Sequence, residues 1–364
     1  MTESTVKVEL AAASYDICID TGNLPTIAAE LEKLSPTRVF VIHDENVHPH
    51  WQVVQQALGS CSFPINDFEV PAGESSKSLS MAEKIWEFLA DRRADRKSLV
   101  LALGGGVVGD LAGFIAASFA RGIPFYQVPT TLLAHVDSSV GGKTGINLSS
   151  AKNMVGAFWQ PQGVLIDIAT LNTLADREYV SGLAEVIKYG LIMDEAFFQQ
   201  LEEQAPGLVK RDPALLIEVI AHCCRLKAVV VQEDERETSG RRAILNYGHT
   251  FAHAIETTFG YGQYLHGEAV ALGMLCAGDL ARRLGRVDDS FCERQFQLIQ
   301  SVGLPTAIRP VNPNSLIDVM RRDKKNVDDI IRFILPDRLG HVELISEPIA
   351  HELIVASIER YLGA

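Results

Sequence analysis

The sequence predicts an α/β N-terminal domain with a mostly parallel sheet over residues 1–175, followed by an all-α C-terminal domain over residues 176–364. We expect the active site in the cleft between them. Three observations support this fold class. A chain of 364 residues is too long for one ordinary core. Short β-branched runs alternate with amphipathic segments in the first half, and long segments with a 3.6-residue period fill the second.

The predicted strands of the first domain are apolar runs that end in polar residues or glycine. In order they are "RVFVIHDEN", "SLVLALGGG", "PFYQVPTTLLAHVDSS" and "GVLIDIATL", and the helical pattern "SLSMAEKIWEFLADRRA" separates the first two. Strands that alternate with helices form a parallel sheet, which binds its ligands at the carboxyl ends of the strands.

Helical periodicity dominates the second domain. It is clear in "REYVSGLAEVIKYGLIMDEAFFQQLEEQ", "PALLIEVIAHCCRLKAVVVQED" and "LHGEAVALGMLCAGDLARRLG", with one short predicted strand at "RFILP". The sequence contains neither an internal repeat nor a low-complexity linker, so we expect the two domains to share a tight cleft.

The composition restricts the partners. A formal net charge of −13 argues against a nucleic acid or an anionic membrane, since both favour basic surfaces. The six cysteines show neither Cys-x-x-Cys nor zinc-finger spacing, as expected of thiols in a reducing cytoplasm. The apolar run from Leu99 to Ala120 contains Asp110 and five glycines, so we interpret it as a buried strand, a turn and a helix. With no basic-then-apolar leader at its start, the chain is expected to be soluble and cytoplasmic.

A glycine motif marks the join between the strand "SLVLALGGG" and the next helix. Gly104-x-Gly106-x-x-Gly109 stands there, where glycine lets the backbone approach a pyrophosphate and the helix N-terminus supplies N–H donors. This context predicts a Rossmann-like dinucleotide site. The motif is unusual in lying beyond the first strand, and Arg121 stands near the place of the expected acidic residue.

Polar residues at other strand ends offer an alternative for holding ribose hydroxyls. They are Asp44-Glu45-Asn46 and Gly73-Glu74. The simpler interpretation of the glycine motif, a turn that only packs a helix on a strand, stays open at this point.

The segment "ILNYGHTFAHAIE" predicts a metal site. His249, His253 and Glu256 lie on one face of a helix at this spacing. Two histidines four residues apart occur in the metalloprotease motif His-Glu-x-x-His, but position 250 is Thr, so the general base of a protease is absent.

A third histidine and an acid complete the predicted ligand set. His266 begins the next helix in "YLHGEAVALGM", and Glu185 lies in the apolar pattern "SGLAEVIKYG". Two imidazoles and one carboxylate make a catalytic zinc set with an open fourth position. Spacing does not decide which two of the three histidines bind, and each alone is compatible with an ordinary core histidine.

Basic residues stand out against the acidic background. They are Lys143 and Lys152 around "TGINLSSA", Lys188 three residues after Glu185, Lys227, Arg242, and the pair Lys324-Lys325. A solvated surface position is the default for each, but Lys188 and Lys227 interrupt apolar faces. Together they suit a substrate with two anionic groups, a phosphate and a carboxylate.

Taken in order, several of these motifs resemble one known family. The segments "GGGVVGD", "VPTTLLAHVDSSVGGKTGIN", "KNMVGAFWQP", "SGLAEVIKYG", "DERE", "LNYGHTFAHAIE" and "LHGEAVALGM" are similar to those of the 3-dehydroquinate synthases, which are sugar-phosphate cyclases. The resemblance extends from residue 40 to "DKKN" and "RFILP". It implies conversion of 3-deoxy-D-arabino-heptulosonate 7-phosphate to 3-dehydroquinate and phosphate, in the shikimate pathway of aromatic amino-acid biosynthesis.

The resemblance also implies a reaction course and cofactors. Transient oxidation by NAD precedes phosphate β-elimination, re-reduction and an intramolecular aldol closure, with one divalent metal, zinc or cobalt. The implied metal ligands are Glu185, His249 and His266, and His253 becomes a substrate or proton-transfer residue. The implied NAD contacts are Asp44, Asn46, Glu74, Lys77, Gly105, Gly106, Val107, Gly109, Asp110, Thr130, Thr131, Lys143, Lys152, Thr170 and Thr173.

Further roles follow from the same resemblance. The implied catalytic residues are Lys143, Lys152, Lys188, His253, Asn153 and Asp137, and the implied substrate-binding residues are Lys227, Arg242, Asn246, Arg121 and one of Lys324 or Lys325. In this family an arginine that Arg121 matches reaches across a homodimer interface to the substrate phosphate. One departure is Ala252, where the family pattern has glycine; alanine suits a helix better, so we expect little effect.

Other activities stay open at this stage. Another sugar-phosphate cyclase, of the inosose or valiolone type, would act on a substrate without a carboxylate, which Arg242 and Lys227 argue against. Some metal-dependent polyol dehydrogenases carry a histidine four residues after the first acidic ligand, and here that residue is Tyr189. A non-catalytic metal-binding scaffold would leave the clustered lysines and the glycine turn unexplained.

Overall fold

The structure is a computed structural model that describes residues 4–10, 13–148, 151–260, 262–322 and 331–363. By its internal contacts the chain divides into two compact units. The first comprises Met1–Leu174 and Leu216–Arg236, and the second Ala175–Leu215 and Glu237–Ala364. Residues 216–236, which the sequence analysis placed in the second domain, therefore group with the first unit.

Eleven strands are formed by the described residues. They are β1 (Ser4–Val8), β2 (Tyr15–Asp20), β3 (Val39–Asp44), β4 (Ile65–Val70), β5 (Leu99–Gly104), β6 (Phe125–Pro129), β7 (Lys143–Leu148), β8 (Ala151–Phe158), β9 (Val164–Asp167), β10 (Phe333–Arg338) and β11 (His341–Ile345).

Twelve α-helices are formed by the same residues. They are α1 (Ile27–Leu34), α2 (His48–Leu58), α3 (Leu79–Asp91), α4 (Gly106–Ser118), α5 (Asp176–Met193), α6 (Glu195–Val209), α7 (Pro213–Glu233), α8 (His249–Phe259), α9 (His266–Arg283), α10 (Asp289–Ser301), α11 (Pro313–Arg321) and α12 (His351–Glu359). None of them combines the length and the apolar character that a bilayer crossing requires, within the part of the chain that the structure describes.

The predicted mostly parallel sheet is confirmed in the first unit. Its seven strands lie in the order β1-β2-β9-β6-β5-β3-β4, and all neighbours are parallel except β1 and β2. Strand β3 pairs with β4 on one side and with β5 on the other, so the chain changes direction across the sheet between β4 and β5. Ligands bind at such a switch point, beyond the carboxyl ends of the strands, and here those ends belong to β3 and β5.

Both faces of this sheet are buried, which explains its continuous apolar strands. On β3, Val41 packs in one hydrophobic cluster with Trp51 of α2, and Phe40 packs in another with Ile85 of α3 and Ile115 of α4. The antiparallel pair β7–β8 forms a separate two-stranded sheet. None of the strands predicted from the sequence covers Lys143 to Lys152.

The second unit is mainly helical, as predicted, and its described residues also form an antiparallel hairpin, β10–β11. The all-α description is therefore incomplete, and β10 contains the short strand expected at "RFILP". The long helical pattern after residue 175 is two helices, because Asp194 caps the second. Its carboxylate accepts a hydrogen bond from the backbone N–H of Phe197 at 3.0 Å, which ends α5 and starts α6.

Candidate functional site

Three side chains of the second unit form a compact group of metal-binding type. Glu185 of α5, His249 at the start of α8 and His266 at the start of α9 each present one ligand atom, and these atoms all lie within 4.8 Å of one another. The Nε2 atoms of both histidines are 3.7 Å from Oε1 of Glu185. His253, the third histidine of the sequence pattern, lies beside His249 with a ring-centroid distance of 5.7 Å and is not part of the group.

Two glycines place the histidines. A Cβ on Gly267 would overlap the carbonyl oxygen of Ser181, so only glycine lets the first turn of α9 lie against α5 one turn before Glu185. Gly267 also donates its N–H to the Ser181 hydroxyl at 3.0 Å. Gly248, directly before His249, has a φ of 79°, a left-handed backbone conformation that residues other than glycine rarely adopt. The ligand group therefore depends on close backbone packing.

The two carboxylate oxygens of Glu185 have different neighbours. Oε2 forms an ion pair with Lys188, one turn further along α5, and both side chains are almost fully buried. Oε1 faces the two histidines and accepts no hydrogen bond from any residue that the structure describes. A buried carboxylate oxygen without a donor is costly unless a cation satisfies it.

The histidines are held in a form that suits a metal ion. Nδ1 of His249 lies 3.1 Å from the carbonyl oxygen of Tyr247, which requires a proton on Nδ1 and leaves the Nε2 lone pair toward Glu185. Burial and then the charge of Lys188 lower the pKa of His249 well below its usual value, so the ring is neutral. Burial also lowers the pKa of His266, but the carboxylates of Glu256 and Glu185 outweigh it and raise that pKa.

These residues fit a divalent metal ion. Two imidazoles and one carboxylate are the donor set of catalytic zinc centres, and the unbonded Oε1 supplies a negative ligand at their meeting point. A second group of possible ligands, Asp337, His341 and Glu343 on the β10–β11 hairpin, fits less well. It is partly exposed, and its carboxylates are paired with arginines: Glu343 with Arg286 at 2.5 Å and Asp337 with Arg338 at 3.3 Å.

Two other predicted substrate residues of the second unit lie outside the metal-ligand group. Arg242 is only 2% exposed, in a short helical turn that precedes α8, and Asn246 ends the same turn. Such a buried guanidinium suits recognition of an anion. Lys324 and Lys325 lie outside the described residues.

The glycine turn of the first unit has the form expected of a dinucleotide site. Strand β5 ends at Gly104, helix α4 begins at Gly106, and no side chain caps the N-terminus of α4 at Gly105. A Cβ on Gly105 would lie 3.0 Å from the Thr131 side chain. The backbone cradle, by which we mean the turn Gly104–Gly106, is therefore open to a ligand only while residue 105 is glycine. The unshared N–H groups and the dipole of α4 favour a phosphate there.

Polar residues follow the neighbouring strand β3. Asp44 ends β3, and its carboxylate accepts a hydrogen bond from the Asn46 N–H at 2.9 Å. Burial raises the pKa of Asp44, although the bond from Asn46 opposes it. These residues and the glycine turn stand at the two strand ends that flank the switch point, where the sequence analysis expects NAD.

A lysine-centred network lies next to the N-terminal part of α4. Nζ of Lys77, almost fully buried, is 2.7 Å from Asp110 and 2.6 Å from the side-chain oxygen of Asn153. Glu74 accepts a hydrogen bond from Asn147 at 2.7 Å, and the Asn147 oxygen accepts one from the Asn153 N–H at 2.8 Å. Four predicted site residues, Glu74, Lys77, Asp110 and Asn153, are thus brought together.

The predicted threonines lie in two loops. Thr130 and Thr131 follow β6, and Thr170 and Thr173 belong to a short helical turn after β9. His135, which is fully buried, joins these loops because its Nε2 lies 2.9 Å from the Pro129 carbonyl and 3.4 Å from the Thr170 hydroxyl. Burial lowers the pKa of His135 to about 4, so it is neutral at pH 7.

The remaining predicted residues of the first unit fall into four places. Lys227 of α7 donates to the Asp137 carboxylate and to its carbonyl oxygen, both at 2.6 Å. Lys143 begins β7 and Lys152 lies on β8. Arg121 is exposed, with a left-handed φ of 67°. Val107 and Gly109 lie in the first turn of α4.

Sequence reasoning missed some contributors. It named Glu256 without giving it a role, and it did not consider His135 or Gly267. A usable signal for Gly267 was a glycine directly after a candidate ligand at a helix start. His135 has no such signal, because its contacts join segments far apart in the chain.

The comparisons with known proteins match both halves of the chain. Residues 67–181 match the family model described as 3-dehydroquinate synthase N-terminal, and residues 182–326 match the model described as 3-dehydroquinate synthase C-terminal. A curated 3-dehydroquinate synthase from Rhodopirellula baltica is 50% identical over 368 residues, which covers 98% of each chain.

Two solved structures are also similar. A 2-deoxy-scyllo-inosose synthase in complex with carbaglucose-6-phosphate, NAD⁺ and Co²⁺ has a TM-score of 0.88 and 26% identity, covering 99% of this chain and 100% of that one. A 2-epi-5-epi-valiolone synthase from Streptomyces hygroscopicus with NAD⁺ and Zn²⁺ bound has the same TM-score and 25% identity, over 97% and 98% of the two chains. Because the relative that shares half of its residues over nearly the full length is a 3-dehydroquinate synthase, this chain belongs to the 3-dehydroquinate synthase family.

Proposed function

We propose that this protein is a 3-dehydroquinate synthase, a carbon–oxygen lyase that converts 3-deoxy-D-arabino-heptulosonate 7-phosphate to 3-dehydroquinate and phosphate. The observation that carries the proposal is the Glu185–His249–His266 group, with Lys188 paired to Glu185, in a chain of this family. An ordinary structural cluster would satisfy the buried carboxylate with protein donors, as most buried polar groups are satisfied.

Two bound groups complete the proposed enzyme, NAD and one divalent metal, zinc or cobalt. When bound, NAD⁺ would supply a reversible acceptor for the hydride on C5 of the substrate. The C5 hydroxyl would lose its proton, and the ketone left at C5 would acidify the neighbouring C–H. The metal supplies a Lewis acid for the substrate hydroxyls. We assign the metal to Glu185, His249 and His266. We assign the pyrophosphate of NAD to the glycine turn before α4, because no side chain caps the N-terminus of this helix and its N–H groups favour an anion.

The basic residues of the chain bind the two anionic groups of the proposed substrate. Lys188 and Arg242 are 1% and 2% exposed, so their charges act with little screening by solvent. Lys227 is held by Asp137, which fixes the position of its ammonium group. We include Lys143, Lys152, Asn153, Asn246 and one of Lys324 or Lys325 in the same substrate set.

Proton transfer is assigned to His253. It lies one turn after His249 on the same face of α8, so its ring would be close enough to the proposed metal ligands to exchange a proton with a substrate bound there. The substrate phosphate is the second proton acceptor in our proposal, since it leaves from the carbon next to the acidified C–H.

A phosphate-release assay tests this function directly. Purified protein is incubated with the heptulosonate phosphate, with and without NAD, and before and after treatment with a chelator. We expect phosphate release that needs both cofactors, with 3-dehydroquinate as the product and no net NADH. Net accumulation of NADH would indicate a polyol dehydrogenase instead, and release that survives the chelator would remove the metal from the proposal.

Substrate choice within the cyclases is tested at Arg242. If its guanidinium binds the substrate carboxylate, Arg242→Ala removes a charge-assisted hydrogen bond of about 1.5–3 kcal/mol and raises KM roughly 10- to 100-fold. Arg241→Ala, at the exposed neighbouring position, is the matched control. An unchanged KM in the Arg242 variant would favour a cyclase whose substrate lacks the carboxylate.

Assembly and location complete the proposal. We infer a cytoplasmic homodimer in which Arg121 reaches the phosphate bound by the partner. Mixing inactive Arg121→Ala with inactive Glu185→Gln protein should then restore activity, because mixed dimers contain one intact set of residues. A failure of mixing to restore activity in dimers that exchange subunits would contradict the role of Arg121.

A further inference from the structure

Glu256 has no part in the ligand group, yet it lies against it. It follows His249 by seven residues on α8, so it shares the face that carries His249 and His253. Its Oε2 atom is 3.6 Å from Nδ1 of His266, and its side chain is only 12% exposed. A carboxylate with so little exposure needs a compensating partner.

The two proposed metal histidines have parallel arrangements. Each points Nε2 at Oε1 of Glu185 at 3.7 Å, and each has an oxygen atom beside Nδ1. For His249 that oxygen is the Tyr247 carbonyl at 3.1 Å, and for His266 it is the carboxylate of Glu256. A hydrogen-bond acceptor at Nδ1, such as the Tyr247 carbonyl, fixes the tautomer that presents the Nε2 lone pair and fixes the plane of the ring. The Glu256 carboxylate, at 3.6 Å, lies just beyond hydrogen-bond distance, and its charge attracts the Nδ1–H side of the His266 ring in the same sense.

The histidines differ in how firmly their surroundings hold them. The side chain of His249 is 12% exposed, and its acceptor belongs to the backbone of the same turn. Both residues begin their helices, but the side chain of His266 is 34% exposed, so its surroundings restrict its rotation less. A charged acceptor therefore has more effect on His266 than a neutral one would.

We propose that Glu256 is a positioning residue that orients His266 toward the metal and raises the metal affinity of the site. This inference rests on the proposed metal function of Glu185, His249 and His266. The negative charge of Glu256 also offsets the positive charge that Lys188 brings next to Glu185. Loss of that charge leaves a bound dication beside Lys188 with one carboxylate fewer to balance it.

The test measures zinc affinity on the full-length protein, without substrate, by competition with a chromophoric chelator. Because outer-shell partners typically change metal affinity by 10- to 100-fold, we expect about tenfold weaker binding for Glu256→Gln and up to about 100-fold for Glu256→Ala. Glu203→Gln, an exposed charge removal on α6, should match the wild type. Glu256→Asp, which keeps the charge, should recover part of the loss.

Two further measurements distinguish a positioning role from a purely structural role, in which the Glu256 variants would lose zinc and NAD affinity together. The affinity for NAD, which we assign to the first unit, should be the same in every variant, and the visible absorption of bound Co²⁺ should change only at position 256. Equal zinc affinity in Glu256→Ala and wild type overturns the inference, as does a parallel loss of zinc and NAD affinity. If Glu185→Gln binds zinc as well as the wild type does, the proposed metal site itself is wrong, whatever the Glu256 variants show.

Discussion

The two candidate sites of this protein are built in different ways. In the first unit, the cradle before α4 consists of glycine backbone and an uncapped helix N-terminus. In the second unit, the ligand group consists of side chains from α5, α8 and α9, and Glu185 and Lys188 are buried there as charges. A backbone site tolerates many side chains around it, whereas a side-chain site fails when one charge is removed. This contrast leads to four predictions.

Glu185→Gln should have the largest effect. A metal ion contributes several kcal/mol to the transition state, so losing its carboxylate ligand should reduce kcat/KM by about 10³-fold or more. Zinc affinity should fall in parallel, while NAD affinity stays at the wild-type value because its proposed site is in the other unit. Full activity in this variant would show that the side-chain site is not the reaction centre.

Lys188→Met should destabilise the second unit. Breaking a buried ion pair leaves Glu185 as an uncompensated charge, which costs about 3–5 kcal/mol. Added zinc should recover part of that loss, since a cation then neutralises Glu185. The measurement is the unfolding midpoint in urea with and without zinc, against the exposed-site control Lys210→Met. Insensitivity of the variant to zinc would separate Lys188 from the metal site.

Asp279→Asn tests a buried acid of the same unit that already has its partners. Arg282, Arg283 and Arg360 all donate to its carboxylate, at 2.5–2.8 Å. The variant should lose roughly 1–3 kcal/mol of stability at neutral pH. Unlike the loss in Lys188→Met, this one should not respond to zinc.

The stability difference between the wild type and Asp279→Asn should depend on pH, and the direction of that dependence follows from the pKa of Asp279. Burial raises the pKa of Asp279, but the hydrogen bonds of the arginines outweigh it and lower the pKa below its usual value. A lowered folded-state pKa stabilises the protein above the unfolded-state value of about 3.9, and that stabilisation is lost as the pH falls further. Urea unfolding of the wild type and of Asp279→Asn should therefore show a difference in the free energy of unfolding that narrows below about pH 4. A stability difference that does not depend on pH would show that the charge of the Asp279 carboxylate is not its cause.

Gly105→Ala should have the smallest effect of the four. The added methyl group meets the Thr131 side chain at 3.0 Å and narrows the cradle at the N-terminus of α4. We expect about tenfold weaker NAD binding, equivalent to about 1.4 kcal/mol, in a titration calorimeter. Gly59→Ala, outside the proposed sites, is the matched control. Unchanged NAD affinity would mean that the pyrophosphate does not approach the backbone at Gly105.

The sequence predicts backbone-based features better than the contacts between distant side chains. The apolar run "SLVLALGGG" identifies both β5 and the start of α4, because strand, glycine and helix are adjacent in the chain. The β7–β8 hairpin was missed, since its glycines and small polar residues give no clear alternation of burial. The long pattern after residue 175 hid the break at Asp194, which only the capping geometry shows.

The ligand group shows where sequence reasoning ends. Spacing places His249 and His253 on one face of α8, but it does not show that α9 brings His266 closer to Glu185. That choice depends on Gly267, which lets α9 approach α5. For this reason, spacing alone leaves all three histidines as equivalent candidates.

Helix α7 has a consequence for how the protein is made. Residues 216–236 belong to the first unit, although the preceding residues 175–215 belong to the second. Lys227 of that helix donates a hydrogen bond to Asp137 of the first unit. A fragment that stops at Leu174 lacks this helix, so a nascent chain cannot finish the first unit until residue 236 has left the ribosome. Cutting the gene at the apparent boundary would leave the first piece without α7, whereas the second piece would contain the whole second unit and α7 as well.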